Sequence, residues 1–320
     1  MSAGGPGPVA ALDWLGRHAR PILPAGLVAA ALLPASGGRL APLLPWLVAA
    51  LLAMTFARVD LRPLIADLRR PRRIAGLAAY FALVQPGLAF VLARAGPGLG
   101  LPQEAMVALM VFAAAPPLGS APALALMLGY DAALALRLML AGTLLSPVMI
   151  PLSLWMAGMP GSLPFDLAMR TGAMLAGGLA AGLALRRLLG PRRLRDRARA
   201  LDGAATALML VFLLPLVDGL AGRVAAAPRL ALMLAALALA VNIGGSLLVR
   251  RLAQSRLAPP SAASAGLTFG NRNVSVILAA LPDPTIAFFV GMAQIPIYLT
   301  PFLLGLHDRV LTRCRPSSES

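Results

Sequence analysis

Ten times along its 320 residues this chain stays apolar for about twenty residues before breaking into arginine, proline or glycine. A run of that length matches the hydrocarbon core of a bilayer, and a helix is the form in which it satisfies its own backbone groups there. The repeated run therefore limits the chain to an all-α polytopic membrane protein. Composition agrees: 59% of residues are hydrophobic, 12% are charged and the mean hydropathy is +0.82. A soluble domain of that balance would have too little polar surface to face water. The expected spans are 21–36, 41–57, 74–93, 103–129, 132–157, 164–185, 203–220, 229–249, 260–281 and 285–306.

The arginines set the orientation. All 28 basic residues are Arg. With the N-terminus inside, twenty-one fall in the N-terminal arm, the 58–73, 186–200 and 250–256 loops and the C-terminal tail. Only four, Arg39, Arg94, Arg223 and Arg229, fall outside. That asymmetry predicts two cytoplasmic termini in a bacterial-type inner (plasma) membrane. It also accounts for the net charge of +16 without a nucleic-acid partner, for which no module or interleaved aromatic is present. The N-terminus lacks the short apolar core and small-residue cleavage site of a removable signal peptide. The lone Cys314 allows no intrachain disulfide, and no His/Cys cluster offers a metal site. His18 and His307 fall near segment ends, and no cofactor is expected.

Two spans are interrupted. Ala115-Pro-Pro-Leu-Gly-Ser-Ala-Pro122 breaks the fourth, and Gly270-Asn-Arg-Asn273 breaks the ninth. Gly and Asn weaken a helix, and Arg at mid-bilayer costs about 2.5 kcal/mol or more. Such backbone is tolerated where it is buried in protein or lines a wet cavity. Both termini inside and an even number of spans allow a division into residues 1–157 and 158–320, five spans each. Five is odd, so the halves are expected to be inverted, with the breaks at matching places.

Arg272 admits two roles: a fixed positive charge holding the crossing together, or a contact for an anionic substrate, which a guanidinium suits. Asn271 and Asn273 either bond substrate or cap a half-helix. Arg137, one turn into the fifth span, either lines the inner vestibule or pairs with Asp131. Asp166 and Arg170 have the spacing of a helical pair. Gly172, Gly177, Gly178 and Gly182 read as close helix packing. Glu104 and Asp218 sit near outer span ends. An enzyme is not expected, since no set of nucleophile, base and oxyanion donors is spaced for one.

Three stretches resemble the bile acid:sodium symporter family. They are Ala53 to Leu64 running on to Arg72, Pro116 to Pro151, and Gly270-Asn-Arg-Asn273. The resemblance implies ten helices in two inverted repeats. Spans 1, 2, 6 and 7 would form a panel and spans 3–5 and 8–10 a core in which the broken spans 4 and 9 cross. With Arg272 at the crossing, a secondary transporter of a small or amphipathic organic anion in the lipid bilayer is expected, and a monomer is the expected working unit. The positions that the resemblance assigns to sodium ligands carry Ala121, Pro122, Ala135, Met139, Thr268 and Arg272, and Phe81 stands where a glutamine is expected. The implied substrate site takes in Arg272, Asn271, Asn273, Thr268, Ser120, Pro122, Gln85 and Arg137. With a carboxylate lost and a guanidinium gained, transport without sodium coupling is expected. A sodium site shifted toward Ser120, Gln85 or Ser275, and a non-transporting receptor or scaffold of the same fold, are the alternatives.

Overall fold

The computed structural model describes residues 7–59, 76, 80–81, 85–159 and 164–313. Residues 60–73 of the basic loop expected in water at 58–73, most of the start of the third span, and Cys314 lie outside the described residues. Among the described residues the chain is helical. Its helices are α1 (Pro8–Arg17), α2 (Ala19–Leu32), α3 (Leu44–Arg58), α4 (Gln85–Ala95), α5 (Gln103–Ala114), α6 (Ala121–Met127), α7 (Ala132–Met156) and α8 (Pro164–Asp196). They continue as α9 (Ala198–Leu216), α10 (Leu220–Ala226), α11 (Pro228–Leu239), α12 (Gly245–Ala253), α13 (Pro259–Gly270), α14 (Val274–Ala280) and α15 (Pro284–Arg313).

Among the described residues, six stretches are long and apolar enough to cross a membrane: Ala41–Arg58, Ala132–Met156, Pro164–Gly190, Ala198–Ala226, Pro228–Ala253 and Pro284–Val310. The ends depart from the expected spans. Helix begins at Pro8 rather than at residue 21 and bends at His18. The sixth span runs on to Asp196, with its direction changed at Gly190, where φ is 73°. The eighth contains a turn of π-helix at Ala240–Gly244, between α11 and α12.

Local chemistry explains several of these boundaries. Asp131 caps α7 by accepting from the Leu134 amide at 2.9 Å, and Asp283 caps α15 by accepting from Thr285 and Ile286 at 2.8 and 2.9 Å. Inside α7, Pro147 offers no N–H to the Thr143 carbonyl, and the Ser146 hydroxyl donates to that carbonyl instead, at 2.7 Å. Helices then pack through small residues. A Cβ on Gly178 would lie 2.7 Å from Leu52 Cβ, and one on Gly182 would lie 2.7 Å from the Ala53 carbonyl, so α8 sits directly on α3. Gly172 and Gly177, read as part of the same seam, have no such close neighbours: Gly172 has only Pro147 Cβ at 3.8 Å and Gly177 has nothing within 4 Å.

α3 packs on α8 and α9, and α1 and α2 pack on α9. Separately, α4 packs on α5 and α7, α12 on α13, and α11 on α15. The two groups meet where α8 touches α7 and where α3 touches α14.

Candidate functional site

α5 ends at Ala114 and α6 begins at Ala121; α13 ends at Gly270 and α14 begins at Val274. The two intervening stretches pair with each other in one antiparallel bridge, Pro117 opposite Arg272. The Leu118 amide donates to the Asn271 carbonyl at 2.8 Å, and the Asn273 amide donates to the Pro116 carbonyl at 2.7 Å. Each stretch thus satisfies backbone groups that the other's missing helical turn leaves open.

Arg272 closes the pairing. It is 2% exposed. Its Nε donates to the Phe269 carbonyl at 2.7 Å and its Nη1 to the Ala115 carbonyl at 2.8 Å. Its guanidinium carbon lies 4.9 Å from the centre of the Phe269 ring. Ala115 follows the last turn of α5, and Phe269 lies in the last turn of α13. Carbonyls at helix C-termini carry partial negative charge, so the guanidinium neutralises two converging helix ends. Gln85, 2% exposed, adds a second donor to the Ala115 carbonyl at 2.9 Å and reaches the Ala113 carbonyl at 3.4 Å.

Behind the crossing is a second polar group. Asn242, in the π turn, donates to the Gly270 carbonyl at 2.9 Å and to Asn271 Oδ1 at 3.3 Å. Thr300, between Pro296 and Pro301 of α15, donates toward Asn242 Oδ1 at 2.9 Å and Asn271 Oδ1 at 3.2 Å. Asn271 Nδ2 donates to the Leu267 carbonyl at 3.0 Å. The π turn and α13 meet closely enough that a Cβ on Gly270 would lie 2.0 Å from the Asn242 carbonyl oxygen. Asn242 and Thr300 are missing from the sequence reading. The pair Gly244-Gly245 two residues after an intramembrane Asn, and a Thr flanked by two prolines, are the signals that point to them.

In front of the crossing opens a cavity of about 1480 Å³. Arg272, Asn273, Val274 and Ser275 line its inner end, with Ser120 and Pro122 beside them. Thr55, Gln294 and Tyr298 line its sides. Arg20, Arg58, Asp202, Asp308 and Arg309 supply the charged part of its lining. Arg58 pairs with Asp202 at 2.6 Å, and Asp308 pairs with Arg250 at 2.6 Å while accepting from the Tyr130 hydroxyl at 2.6 Å.

The structure thus places four of the expected site residues, Arg272, Asn273, Ser120 and Pro122, on the cavity wall. The other four, Gln85, Asn271, Thr268 and Arg137, are not among the described wall residues. Gln85 and Asn271 face the crossing. Thr268 is 2% exposed and bonds back to the Ser264 and Ala265 carbonyls of its own helix. Arg137 is half-buried on α7. Its charge helps hold the Asp131 carboxyl below the usual carboxylate range, though the Leu134 amide contributes most to that shift. Ala121 and Ala135 are fully buried and Met139 is 2% exposed, and none of these side chains carries an oxygen. Arg170, expected to pair with Asp166, instead donates to the Ala280 carbonyl at 3.3 Å. Among the described residues no three His, Cys, Asp or Glu side chains gather as a metal set.

The Sodium Bile acid symporter family matches residues 44–159, a stretch that contains α3 through α7 and the first of the two paired breaks. No curated protein matches the chain.

Proposed function

The chain belongs to the sodium bile acid symporter family through residues 44–159, and from that premise we propose that it is a secondary transporter moving a small or amphipathic organic anion by alternating access, without sodium coupling. The reading takes the ten spans as two inverted halves, 1–157 and 158–320, with both termini cytoplasmic in an inner membrane, and takes the working unit as a monomer. It takes α1–α3 and α8–α10 as the panel, and α4–α7 and α11–α15 as the core. The cavity then lies between panel and core and opens toward the arginine-rich face.

One observation carries the reading of the coupling. The Ala115 and Phe269 carbonyls, where two helix C-termini converge, are both occupied by the Arg272 guanidinium. A cation needs oxygen ligands, and here those oxygens already hold a tethered cation. A second positive charge about 4 Å away would be repelled by roughly 4 kcal/mol at an effective dielectric near 20, close to a thousandfold in affinity. Arg272 therefore supplies permanently a charge that a coupling ion would supply transiently. What remains for the substrate is the adjoining wall: Asn273, Ser120, Ser275 and the face that Arg272 presents to the cavity.

The test is uptake of labelled bile salts and short carboxylates into proteoliposomes, under an inward sodium gradient and under an equal potassium gradient. Uptake of an anion at equal rates in the two gradients is the expected result. A several-fold stimulation by sodium that disappears in Arg272→Ala overturns the reading of the coupling. Uptake of cations or neutral solutes alone overturns the reading of the substrate.

A further inference from the structure

The two ends of the bundle differ. On the transport reading the cavity opens at the arginine-rich end, where Arg20, Arg58, Asp308 and Arg309 line it. The opposite end is identified by the helices themselves. α8 and α9 are joined through the basic 186–200 stretch, so the start of α8 and the end of α9 lie away from it. α9 is 19 residues long, which separates its ends by about 28 Å.

At that far end two arginines reach from one group of helices to the other. Arg170, in the second turn of α8, donates from Nη1 to the carbonyl of Ala280, the last residue of α14, at 3.3 Å. Arg223, on α10, donates from Nη1 to the carbonyl of Pro284, the first residue of α15, at 3.2 Å. Its guanidinium lies 5.5 Å from the centre of the Phe288 ring, and its Nη2 bonds back to the Asp218 carbonyl at 3.0 Å. Beside it Leu220 packs tightly on α15, where a Cβ on Gly291 would lie 2.8 Å from Leu220 Cδ1. Asp218 meanwhile ties α9 to the α2–α3 connection, accepting from the Ser36 amide and hydroxyl at 2.7 Å each. This holds Arg223 to its own side of the boundary.

We propose that Arg170 and Arg223 form a two-point latch that keeps the cavity shut on the face away from the arginine-rich loops. Their release exposes the crossing to that face. The inference rests on the transport reading and adds the residues that decide which face is open. The chemistry suits a contact that must break in every cycle. Both acceptors are neutral carbonyls, each reached by a single hydrogen bond, and Arg170 is exposed while Arg223 is half-buried. Neither separation strands a buried charge, as parting a buried ion pair would. Arg223 also remains bonded to Asp218 after it leaves Pro284, so it stays poised to close again.

The experiment places a single cysteine, Ser275→Cys, on the cavity wall in a Cys314→Ser background. A membrane-impermeant maleimide is applied to sealed vesicles of either orientation. In this parent, labelling is expected from the arginine-rich face and slow from the other. In Arg170→Gln/Arg223→Gln the rate from the far face rises by roughly fivefold or more, as a population shift toward the opposite opening requires. Arg223→Lys, which keeps a cation over Phe288, falls between. The latch is overturned if the double variant, with its melting temperature and its labelling from the arginine-rich face unchanged, labels from the far face no faster than the parent. Absence of labelling from either face in the parent overturns the transport reading, and the latch with it.

Discussion

The two stretches that pair at the centre of this molecule interrupt their helices by opposite means. The first, Ala115 to Ser120, is broken by prolines. Pro116 and Pro117 bring no N–H groups, so this stretch presents chiefly carbonyls. The second, Gly270 to Asn273, is broken by glycine and asparagine and carries an arginine, so it presents chiefly donors. Of the contacts between them, the Ala115 and Pro116 carbonyls accept from Arg272 and from the Asn273 amide, and a single bond runs the other way, from the Leu118 amide to the Asn271 carbonyl. One break is an acceptor and the other a donor. Two proline breaks or two Asn-Arg breaks would leave like groups facing each other without water. The difference is thus what allows irregular backbone to persist at this depth.

Removing the donor should have the largest effect. Arg272→Ala strands the Phe269 carbonyl, at about 1–3 kcal/mol for a buried acceptor, leaves Gln85 as the side-chain donor to the Ala115 carbonyl, and opens a cavity, about 3–5 kcal/mol in total. Thermal and denaturant unfolding in detergent should register this loss. Arg272→Lys keeps the charge without the two-pronged geometry and should recover only part of it. A melting temperature for Arg272→Ala within about 2 °C of the parent, less than 1 kcal/mol for a chain of this size, would show that the guanidinium does not hold the crossing.

The backs of the two breaks are crowded by different groups. A Cβ on Gly270 would lie 2.0 Å from the Asn242 backbone carbonyl, whereas a Cβ on Gly142 would lie 2.4 Å from Pro117 Cδ and 2.9 Å from Phe81 Cε1. Backbone cannot yield as a ring can. Gly270→Ala should therefore cost more than Gly142→Ala, with both within or above the roughly 1–3 kcal/mol of overpacking. The reverse order in unfolding measurements would mean that the proline break is the more rigid of the two.

The smallest expected effects lie in the polar support behind the donor break. Asn242→Ala removes the donor to the Gly270 carbonyl and should cost about 1–3 kcal/mol. Thr300→Val removes one hydroxyl from a site where the Pro296 carbonyl keeps its helix, and should cost about 1 kcal/mol. The two changes share partners, so their double variant should cost less than the sum. Strict additivity would show that Asn242 and Thr300 do not act through Asn271 together.

Much of this was legible in residue order, because hydropathy and helix propensity are local and additive. A run of apolar residues says where a helix can lie in a bilayer. Proline and glycine say where that helix breaks, and the clustering of arginine at alternate ends says which loops share a face. Both central breaks follow from the two short stretches alone. Where a helix stops was less legible: α1 begins at Pro8 because Leu12 and Gly16 pack against α9, a contact between residues nearly two hundred positions apart.

What only the tertiary structure decided is which way each polar side chain faces. Thr268 and Arg272 lie four residues apart at the same break, yet Thr268 turns back on its own helix while Arg272 reaches across to Ala115. Gln85 reaches the Ala115 carbonyl of the crossing, whereas Asn271 donates to the Leu267 carbonyl of its own helix and accepts from Asn242 and Thr300. Asn242, inconspicuous in an apolar run, becomes the support for Gly270. The physical reason is that a buried hydrogen bond depends on an angle and about 3 Å of distance. For residues 157 positions apart, such as Ala115 and Arg272, these are set by the packing of every helix between them.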